Sequence, residues 1–230
     1  MKNIFTLLAL TITLSMNAQL AAVTENSKTG QRLSTSNAAN HGDIGTYAVD
    51  LSYSSAASTT KGATGNYSTA MGRGTTASGE NSTAMGYLTT ASGEDSTAMG
   101  YNTIASVNYS TAMGNGTTAS GVVSTAMGNV TTASGASSTA MGYATTASGE
   151  SSTAMGRGTT ASGEDSTAMG YLTTASGEDS TAMGDNTTAM GRGTTAMGIE
   201  TTASDYGSLV IGKYNLSGST VTGSATAFNT

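Results

Sequence analysis

The chain has 230 residues with no cysteine, tryptophan or proline, and its formal net charge is −6. The lack of cysteine excludes a disulfide scaffold and thiol chemistry, and the acidic balance argues against nucleic acid, which needs clustered Lys and Arg. Gly, Ala, Ser and Thr dominate, so each residue can bury little apolar surface and a stable fold must come from many repeated contacts.

The N-terminus has the layout of a signal peptide, which we predict for residues 1–22. A positive charge at Lys2 is followed by an apolar stretch, residues 4–14, and then by small residues. The apolar stretch is too short for a transmembrane helix, and we place the cleavage site between Ala18 and Ala22. The chain is therefore expected to be exported, with no membrane span apart from the signal peptide.

Residues 23–53 lack any repeat and are predicted to form an irregular N-terminal leader or cap. This segment holds His41, the only histidine of the chain. A lone, exposed histidine in an irregular segment is expected to be incidental rather than a general base or a metal ligand. Without a cysteine, a placed histidine or a G-x-S-x-G turn, the many serines have no group that would activate them. We therefore expect no enzyme activity, no cofactor and no metal site.

From residue 54 to residue 212 the sequence repeats with a period of fourteen. Two phrases alternate, STAMG and TTASG, and two-residue connectors separate them. This pattern predicts two short strands and two tight turns per coil, because Thr favours strands and frequent Gly disfavours helix. Segments 54–58 (SSAAS) and 61–65 (KGATG) are interpreted as degenerate copies, with Ala57 in the Met register. The predicted fold class is all-β, a parallel β-solenoid of 14-residue coils.

Alternation along each strand assigns the side chains to faces. Positions shared by both phrases, such as Ser68, Ala70 and Gly72, are predicted to line the interior, because both strands contact it. The other positions face outward, as a Thr/Met row on one side and a Thr/Ser row, represented by Thr76 and Ser78, on the other. The Met row would expose more apolar surface than a soluble monomer tolerates, so we expect copies of the chain to cover it. The predicted interface residues are Met71, Met85, Met99, Met113, Met127, Met141, Met155, Met169, Met183, Met197 and Ile211.

The two sets of connectors differ in chemistry. One set is acidic, and its members are Glu80, Glu94, Asp95, Glu150, Glu164, Asp165, Glu178 and Asp179. We interpret it as a solvated edge that discourages sideways sheet growth, while a cation between stacked carboxylates stays open. The other set carries Tyr and Arg, which are frequent in binding hot spots, although plain turn filling is an equal alternative. The candidate ligand-contact residues are Arg73, Tyr87, Tyr101, Tyr143, Arg157 and Tyr171, together with Thr76 and Ser78.

The STAMG phrase and its variant SLVIG (208–212) resemble the repeats of trimeric autotransporter adhesin heads, the YadA-like or Hep_Hag repeat family. The resemblance covers residues 54–212 and rests on many copies in register. It implies a left-handed parallel β-roll, a homotrimer with the Met row at its axis, and a location on the cell surface or outer membrane or outside the cell. It implies host or matrix proteins, glycans or other surface ligands as partners, and neither an active site nor a cofactor.

The chain departs from full-length members of that family. It shows neither the apolar heptads of a coiled-coil stalk nor the alternating strands of an anchor domain. Residues 213–230 are expected to be a C-terminal extension, and the chain to be either a fragment or attached by other means. Three functions stay open: an adhesin head acting through multivalency, an ice- or crystal-binding solenoid using the Thr-x-Ser ladder, and a structural spacer of a surface fibre. An enzyme ranks last.

Overall fold

A computed structural model describes residues 20–215, which divide between Val130 and Thr131 into two compact units. Most of the predicted signal peptide (1–22) and of the predicted C-terminal extension (213–230) lies outside the described residues. Each unit is built from alternating long and short strands. In the regular coils the long strand has five residues and the short strand has two.

The first unit begins with a hairpin and continues as a coil. Its elements in chain order are β1 (Leu20–Glu25), β2 (Lys28–Leu33), the 3-10 turn Ala38–Asn40, β3 (Val49–Tyr53), β4 (Gly62–Ala63), β5 (Thr69–Arg73), β6 (Thr76–Ala77), β7 (Thr83–Tyr87), β8 (Thr90–Ala91), β9 (Thr97–Tyr101), β10 (Ile104–Ala105), β11 (Thr111–Asn115), β12 (Thr118–Ala119) and β13 (Thr125–Asn129).

The second unit has the same alternation without a hairpin. Its strands are β14 (Thr132–Ala133), β15 (Thr139–Tyr143), β16 (Thr146–Ala147), β17 (Thr153–Arg157), β18 (Thr160–Ala161), β19 (Thr167–Tyr171), β20 (Thr174–Ala175), β21 (Thr181–Asp185), β22 (Thr188–Ala189), β23 (Thr195–Ile199), β24 (Thr202–Ala203) and β25 (Leu209–Lys213).

Within each unit the strands form two sheets, one of long strands and one of short strands. In the first unit the long strands are ordered β1-β2-β3-β5-β7-β9-β11-β13 and the short strands β4-β6-β8-β10-β12. In the second unit the long strands, β15 to β25 with odd numbers, are neighbours in chain order in one sheet. The short strands, β14 to β24 with even numbers, are neighbours in chain order in the other. Neighbouring strands of the coil are parallel, with partners such as Met85 and Met99 fourteen residues apart. The predicted all-β parallel solenoid is confirmed, while its left-handedness and trimeric assembly stay predictions.

The short strand is shorter than its five-residue phrase predicts. After Ala77 the amides of Ser78 and Gly79 both donate to one carbonyl, that of Ala91, at 2.9 and 3.3 Å. Two consecutive donors on one acceptor cannot continue an extended ladder, in which successive amides point to opposite sides. The chain therefore leaves the sheet after two residues and turns.

The interior of each coil consists of Ala and small hydroxyl side chains, as the alternation predicts. Ala70 and Ala77 are fully buried, and so are their equivalents up to Ala196 and Ala203. Ser68 and Thr75, which are also fully buried, complete the core of their coil. Because these side chains are small, the two sheets of a unit can lie close together.

Gly72 does not line the interior, contrary to the prediction. It is exposed and has a φ of +113°, a backbone conformation that favours glycine. A Cβ atom added to it would lie 2.1 Å from the carbonyl oxygen of Gly86 in the next coil. Backbone cannot move aside as a flexible side chain can, so Gly72 and the glycines at its position in the following coils accept no side chain. This glycine serves the close stacking of coils rather than the core.

The coil begins earlier than predicted. Leu51 in β3, rather than Ala57, is the parallel partner of Met71. Partners in β3 and β5 are twenty residues apart, against fourteen in β5 and β7. The six extra residues lie between β3 and β4, where segment 54–58 forms no strand and is therefore not a copy of the repeat. Segment 61–65 is such a copy, because it contains β4 in register with β6.

Residues 23–53, for which we expect an irregular leader or cap, contain regular elements. The antiparallel hairpin of β1 and β2 joins the long-strand sheet where Gln31 in β2 pairs with Val49 in β3. The hairpin thereby covers the edge of the first parallel strand. Covered edges and terminal caps prevent a repeat array from pairing with further chains.

Candidate functional site

The predicted interface residues form an outward row in each unit. In the first unit the parallel partners are Met71, Met85, Met99, Met113 and Met127, and in the second they are Met141, Met155, Met169, Met183, Met197 and Ile211. Met71 and Ile211, at the ends of the two rows, are 38% and 57% exposed, whereas the methionines between them are half-buried. Each thioether is partly covered by those above and below it. The result is an apolar strip on the outside of each unit.

The threonine and serine side chains of the Thr/Ser row differ in their exposure to solvent. Thr76 is buried, and its parallel partner Thr90 is half-buried. Ser78 is exposed, because the chain has already left the short strand there. Ile104 takes the Thr place in the next coil. The structure therefore brings the candidate contact residue Ser78 to the surface and withdraws Thr76 from it.

The predicted Tyr/Arg edge of the first unit is a stacked platform. The guanidinium carbon of Arg73 lies 5.5 Å from the centroid of the Tyr87 ring. Tyr87 in turn stacks on Tyr101 with centroids 5.0 Å apart and an angle of 12° between the rings. The parallel register causes this arrangement, since the three residues are successive partners in β5, β7 and β9. Cation–π attraction and ring stacking hold them together.

The second unit repeats the platform with the cation in the middle. The Arg157 guanidinium lies 5.6 Å from the ring centroid of Tyr143 and 5.5 Å from that of Tyr171. Both rings are about half exposed, at 53% and 42%. The six predicted Tyr and Arg contact residues are thus assembled as two triplets, one in each unit.

A cavity of about 140 Å³ lies beside the Arg73 end of the first platform. Its walls include Tyr53, Lys61, Arg73, Tyr87 and Leu88. Arg73 and Tyr87 are predicted contact residues, but sequence reasoning missed the other three. Lys61 directly precedes β4 and so lies at the register of Thr75, but the six extra residues before it interrupt the period that connects it with Tyr53. The feature of the sequence that could have indicated this cavity is the break in the fourteen-residue period.

The acidic edge is exposed to solvent at every predicted position. In the second unit Arg192 contacts it, with Nη2 at 2.8 Å from Glu178 Oε1 and Nε at 3.8 Å from Asp179 Oδ2. In the first unit the amide of Asn108 donates to Glu94 Oε2 at 3.2 Å. Between residues 20 and 215, no three Asp, Glu or His side chains converge in a group that could hold a metal ion.

His41 is buried, so the prediction of an exposed and incidental histidine is wrong. Its Nδ1 lies 3.0 Å from Asp50 Oδ2, and Ser52 Oγ donates to Asp50 Oδ1 at 2.6 Å. Arg32 reaches the same carboxylate through Nε at 3.3 Å and also binds Glu25 through Nη1 at 2.8 Å. The cluster ties β1, β2, β3 and the segment around His41 into one cap.

The cap cluster contains Ser, His and Asp without the geometry of a hydrolase. In a catalytic triad the serine binds one ring nitrogen and the aspartate the other. Here Ser52 Oγ and Asp50 both lie against Nδ1 of His41, at 3.3 and 3.0 Å. All three residues are buried, with exposures of 7% or less. A serine with its proton committed to a carboxylate and no access to solvent is structural.

The pKa values of the two cap carboxyls are lowered. Burial raises the pKa of Asp50, but hydrogen bonds from His41 and Ser52 outweigh burial and hold the pKa below its usual 3.8. Burial likewise raises the pKa of Glu25, and the bonds from Arg32 and the Ile44 amide outweigh it, so this pKa lies below 4.5. Both carboxylates are therefore charged in the folded cap at neutral pH.

Comparison with known families gives one result. A family model described as the YadA head domain repeat (2 copies) matches the chain in eight places, which together cover more than half of it. The matched segments are 63–89, 91–117, 108–131, 119–145, 133–159, 147–173, 161–187 and 189–215. No curated protein sequence matches the chain. Within residues 20–215 the structure has no helix whose length and apolar character would let it span a membrane.

Proposed function

This chain belongs to the YadA head repeat family, and from that premise we propose that it is the head of a homotrimeric adhesin that attaches its carrier to other surfaces. The resemblance predicted from STAMG and SLVIG is confirmed, and the family is one of cell-surface adhesin domains rather than of enzymes. In this proposal the chain is exported and acts at the cell surface or outside the cell. Its partners are host or matrix proteins, glycans or other surface ligands.

The observation that carries the proposal is the register of the outward side chains. From β5 to β13 and from β15 to β23, each parallel pair of long strands places Thr, Ala, Met and Gly above the same residues of the neighbouring coil, as with Met99 and Met113. Repeated exposed groups offer many identical weak contacts, and linked weak contacts gain strength through effective concentration. A surface built in this way suits attachment to an extended, repetitive target better than capture of a single small molecule.

The Met row supports the trimeric part of the proposal. The methionines of each unit form an apolar strip that stays partly exposed on its own coil. Flexible thioethers fill irregular gaps, so they suit an axis shared by identical chains. In a trimer around this strip, the exposed serines and the Tyr/Arg platforms are left for other partners.

Attachment of the full exported chain to surfaces tests the proposal. Beads carrying the chain are applied to immobilised collagen, fibronectin and glycans, and retention under flow is measured. We expect retention on at least one surface, and weaker retention when the chain is dissociated into monomers, because multivalency is then lost. A trimer that is retained on none of these surfaces would overturn the adhesin proposal.

A further inference from the structure

The cavity beside Arg73 is formed where the repeat is interrupted. The six extra residues between β3 and β4 lie in a loop that contributes Ser54, Ser55 and Lys61 to its wall. The loop is held in place from both sides. The Asn40 side chain donates to the Ser54 carbonyl at 2.7 Å, and the Lys61 carbonyl accepts from the Gly42 amide at 2.9 Å.

Two basic residues line this cavity, in a chain whose formal net charge is −6. Lys61 and Arg73 both line it, and its walls contain no Asp or Glu. Within residues 20–215 neither of them forms an ion pair, whereas Arg32 and Arg192 each bind two carboxylates. An ammonium and a guanidinium without carboxylate partners form a site for an anion, since charge-assisted hydrogen bonds are the strong ones.

Aromatic rings stand next to the two cations. Tyr53 and Tyr87 line the same cavity, and Tyr53 is 60% exposed. Parallel pairing places Arg73 between them along the sheet, with its guanidinium 5.5 Å from the Tyr87 ring centroid. A tyrosine presents an apolar face and a polar hydroxyl. That combination suits a sugar, whose ring is apolar on its faces and polar at its rim.

We propose that this cavity binds the acidic unit of a saccharide, with its carboxylate or sulfate on Lys61 and Arg73 and its ring against Tyr53 and Tyr87. The inference rests on the proposed adhesin function, because it names the class of surface ligand. At about 140 Å³ the cavity is smaller than the pockets of about 300–1,000 Å³ that enclose drug-sized ligands. It therefore takes one acidic unit of a longer chain.

Backbone pairing favours a saccharide over an acidic peptide. Peptides that add to a sheet need free main-chain donors and acceptors. Around this cavity the amide of Gly74 donates to the Tyr53 carbonyl at 2.7 Å, and that of Leu88 to the Arg73 carbonyl at 2.9 Å. With these groups already paired, recognition has to come from side chains.

Titration of the full exported chain with sialyllactose, sulfated lactose, neutral lactose and an oligo-glutamate peptide tests this site. We expect at least one acidic sugar to bind, lactose and the peptide to bind far more weakly, and added salt to weaken the binding. Lys61→Gln and Arg73→Gln should each weaken it by about tenfold. The matched control, Lys28→Gln, removes an exposed cation of the hairpin that does not line the cavity, and it should leave the binding unchanged. Hydrogen exchange of the cap amides checks that each variant is folded.

The outcomes separate this inference from the function on which it rests. Equal binding of lactose and the acidic sugars, preference for the peptide, or full affinity in both variants would overturn the saccharide site. If Lys61→Gln/Arg73→Gln binds the acidic sugar as tightly as the unchanged chain while its beads are still retained on surfaces, the adhesin function stands and the saccharide site is overturned. If the unchanged chain binds an acidic sugar but is retained on no surface, the adhesin function fails instead.

Discussion

Asp50 is the parallel partner of Ala70, so a buried carboxylate stands at the position that alanine occupies in the following coils of the first unit. Alanine there packs on alanine. Asp50 instead accepts hydrogen bonds from Ser52 and His41 and approaches Arg32. The first coil thus has a buried polar cluster where the following coils have an alanine core.

Asp50→Ala is expected to open the cap without unfolding the later coils. It leaves Arg32 and His41 buried without their shared partner, and breaking a buried ion pair costs about 3–5 kcal/mol. Because repeat proteins unfold in parts, hydrogen exchange is the suitable measurement. We expect faster exchange at the paired amides of β2 and β3, and little change in β9 and β11. Equal protection of the cap in both proteins would show that the cluster contributes nothing.

The cap should loosen in acid. Folding lowers the pKa values of Asp50 and Glu25, so the two charged carboxylates stabilise the folded cap. This stabilisation is fully present above the ordinary pKa values of 3.8 and 4.5, and it is lost as the pH falls through the lower pKa values of the folded state. Exchange of the cap amides, corrected for the intrinsic pH dependence, should therefore rise as the pH falls below about 4.5. Asp50→Asn should flatten this dependence, and Glu80→Gln, which removes an exposed carboxylate, should not. A cap whose protection does not change down to pH 2 would contradict the assignment.

The sequence predicts the register of the coil because periodicity is a direct consequence of stacking. Met71 and Met85 lie one coil apart, and Ala70 points inward, as alternation requires. Alternation fails at Gly72, since a positive φ takes the backbone out of the regular pleat on which face assignment depends. Nothing in the spacing of residues shows which glycines have this conformation.

The sequence does not predict the contacts made outside the period. His41 lies in a segment without repeats, so no register connects it with Asp50, although the two side chains are in contact in the folded cap. The loop of six extra residues adds Ser54, Ser55 and Ala56 to the cavity that Lys61 and Arg73 line, and no period predicts that loop. Arg73 and Tyr87, by contrast, are fourteen residues apart in the regular repeat, and their proximity could be predicted.

Thr117→Val should stabilise the first unit. The Oγ1 atom of this buried threonine has no hydrogen-bond partner among the described residues, and an unsatisfied buried hydroxyl costs about 1–3 kcal/mol. Valine keeps the shape and removes the hydroxyl. Ser82→Ala is the matched control, because Ser82 Oγ donates to the Gly79 carbonyl at 2.7 Å and its loss should destabilise by about 1 kcal/mol. Chemical denaturation of both variants measures the two effects, and opposite signs are expected.

Val123→Gly should also stabilise the first unit. Val123 has a φ of 59°, a left-handed conformation that β-branched residues rarely adopt. This conformation costs the folded state about 1–2 kcal/mol in an L-residue with a Cβ. The substitution gains less than that, because glycine also makes the unfolded chain more flexible and so stabilises the unfolded state. Gly116→Ala is the reverse test, because Gly116 has a φ of 62° and an added Cβ would meet nothing closer than 3.8 Å. A loss of about 1 kcal/mol there would report conformational strain alone, whereas no change would show that the left-handed positions are not strained.

Met113→Asp is expected to dissociate the proposed trimer or to prevent its assembly. Met113 is half-buried in the middle of its row, between Met99 and Met127. A trimer axis through this row would bring together one new carboxylate from each chain, and like charges in a desolvated contact cannot be accommodated. Ser106→Asp is the matched control, since Ser106 is exposed on the other outward row. Sedimentation should give three chains for the unchanged protein and the control, and one for Met113→Asp. A monomeric unchanged protein would contradict the Met-row axis and with it the proposed trimer.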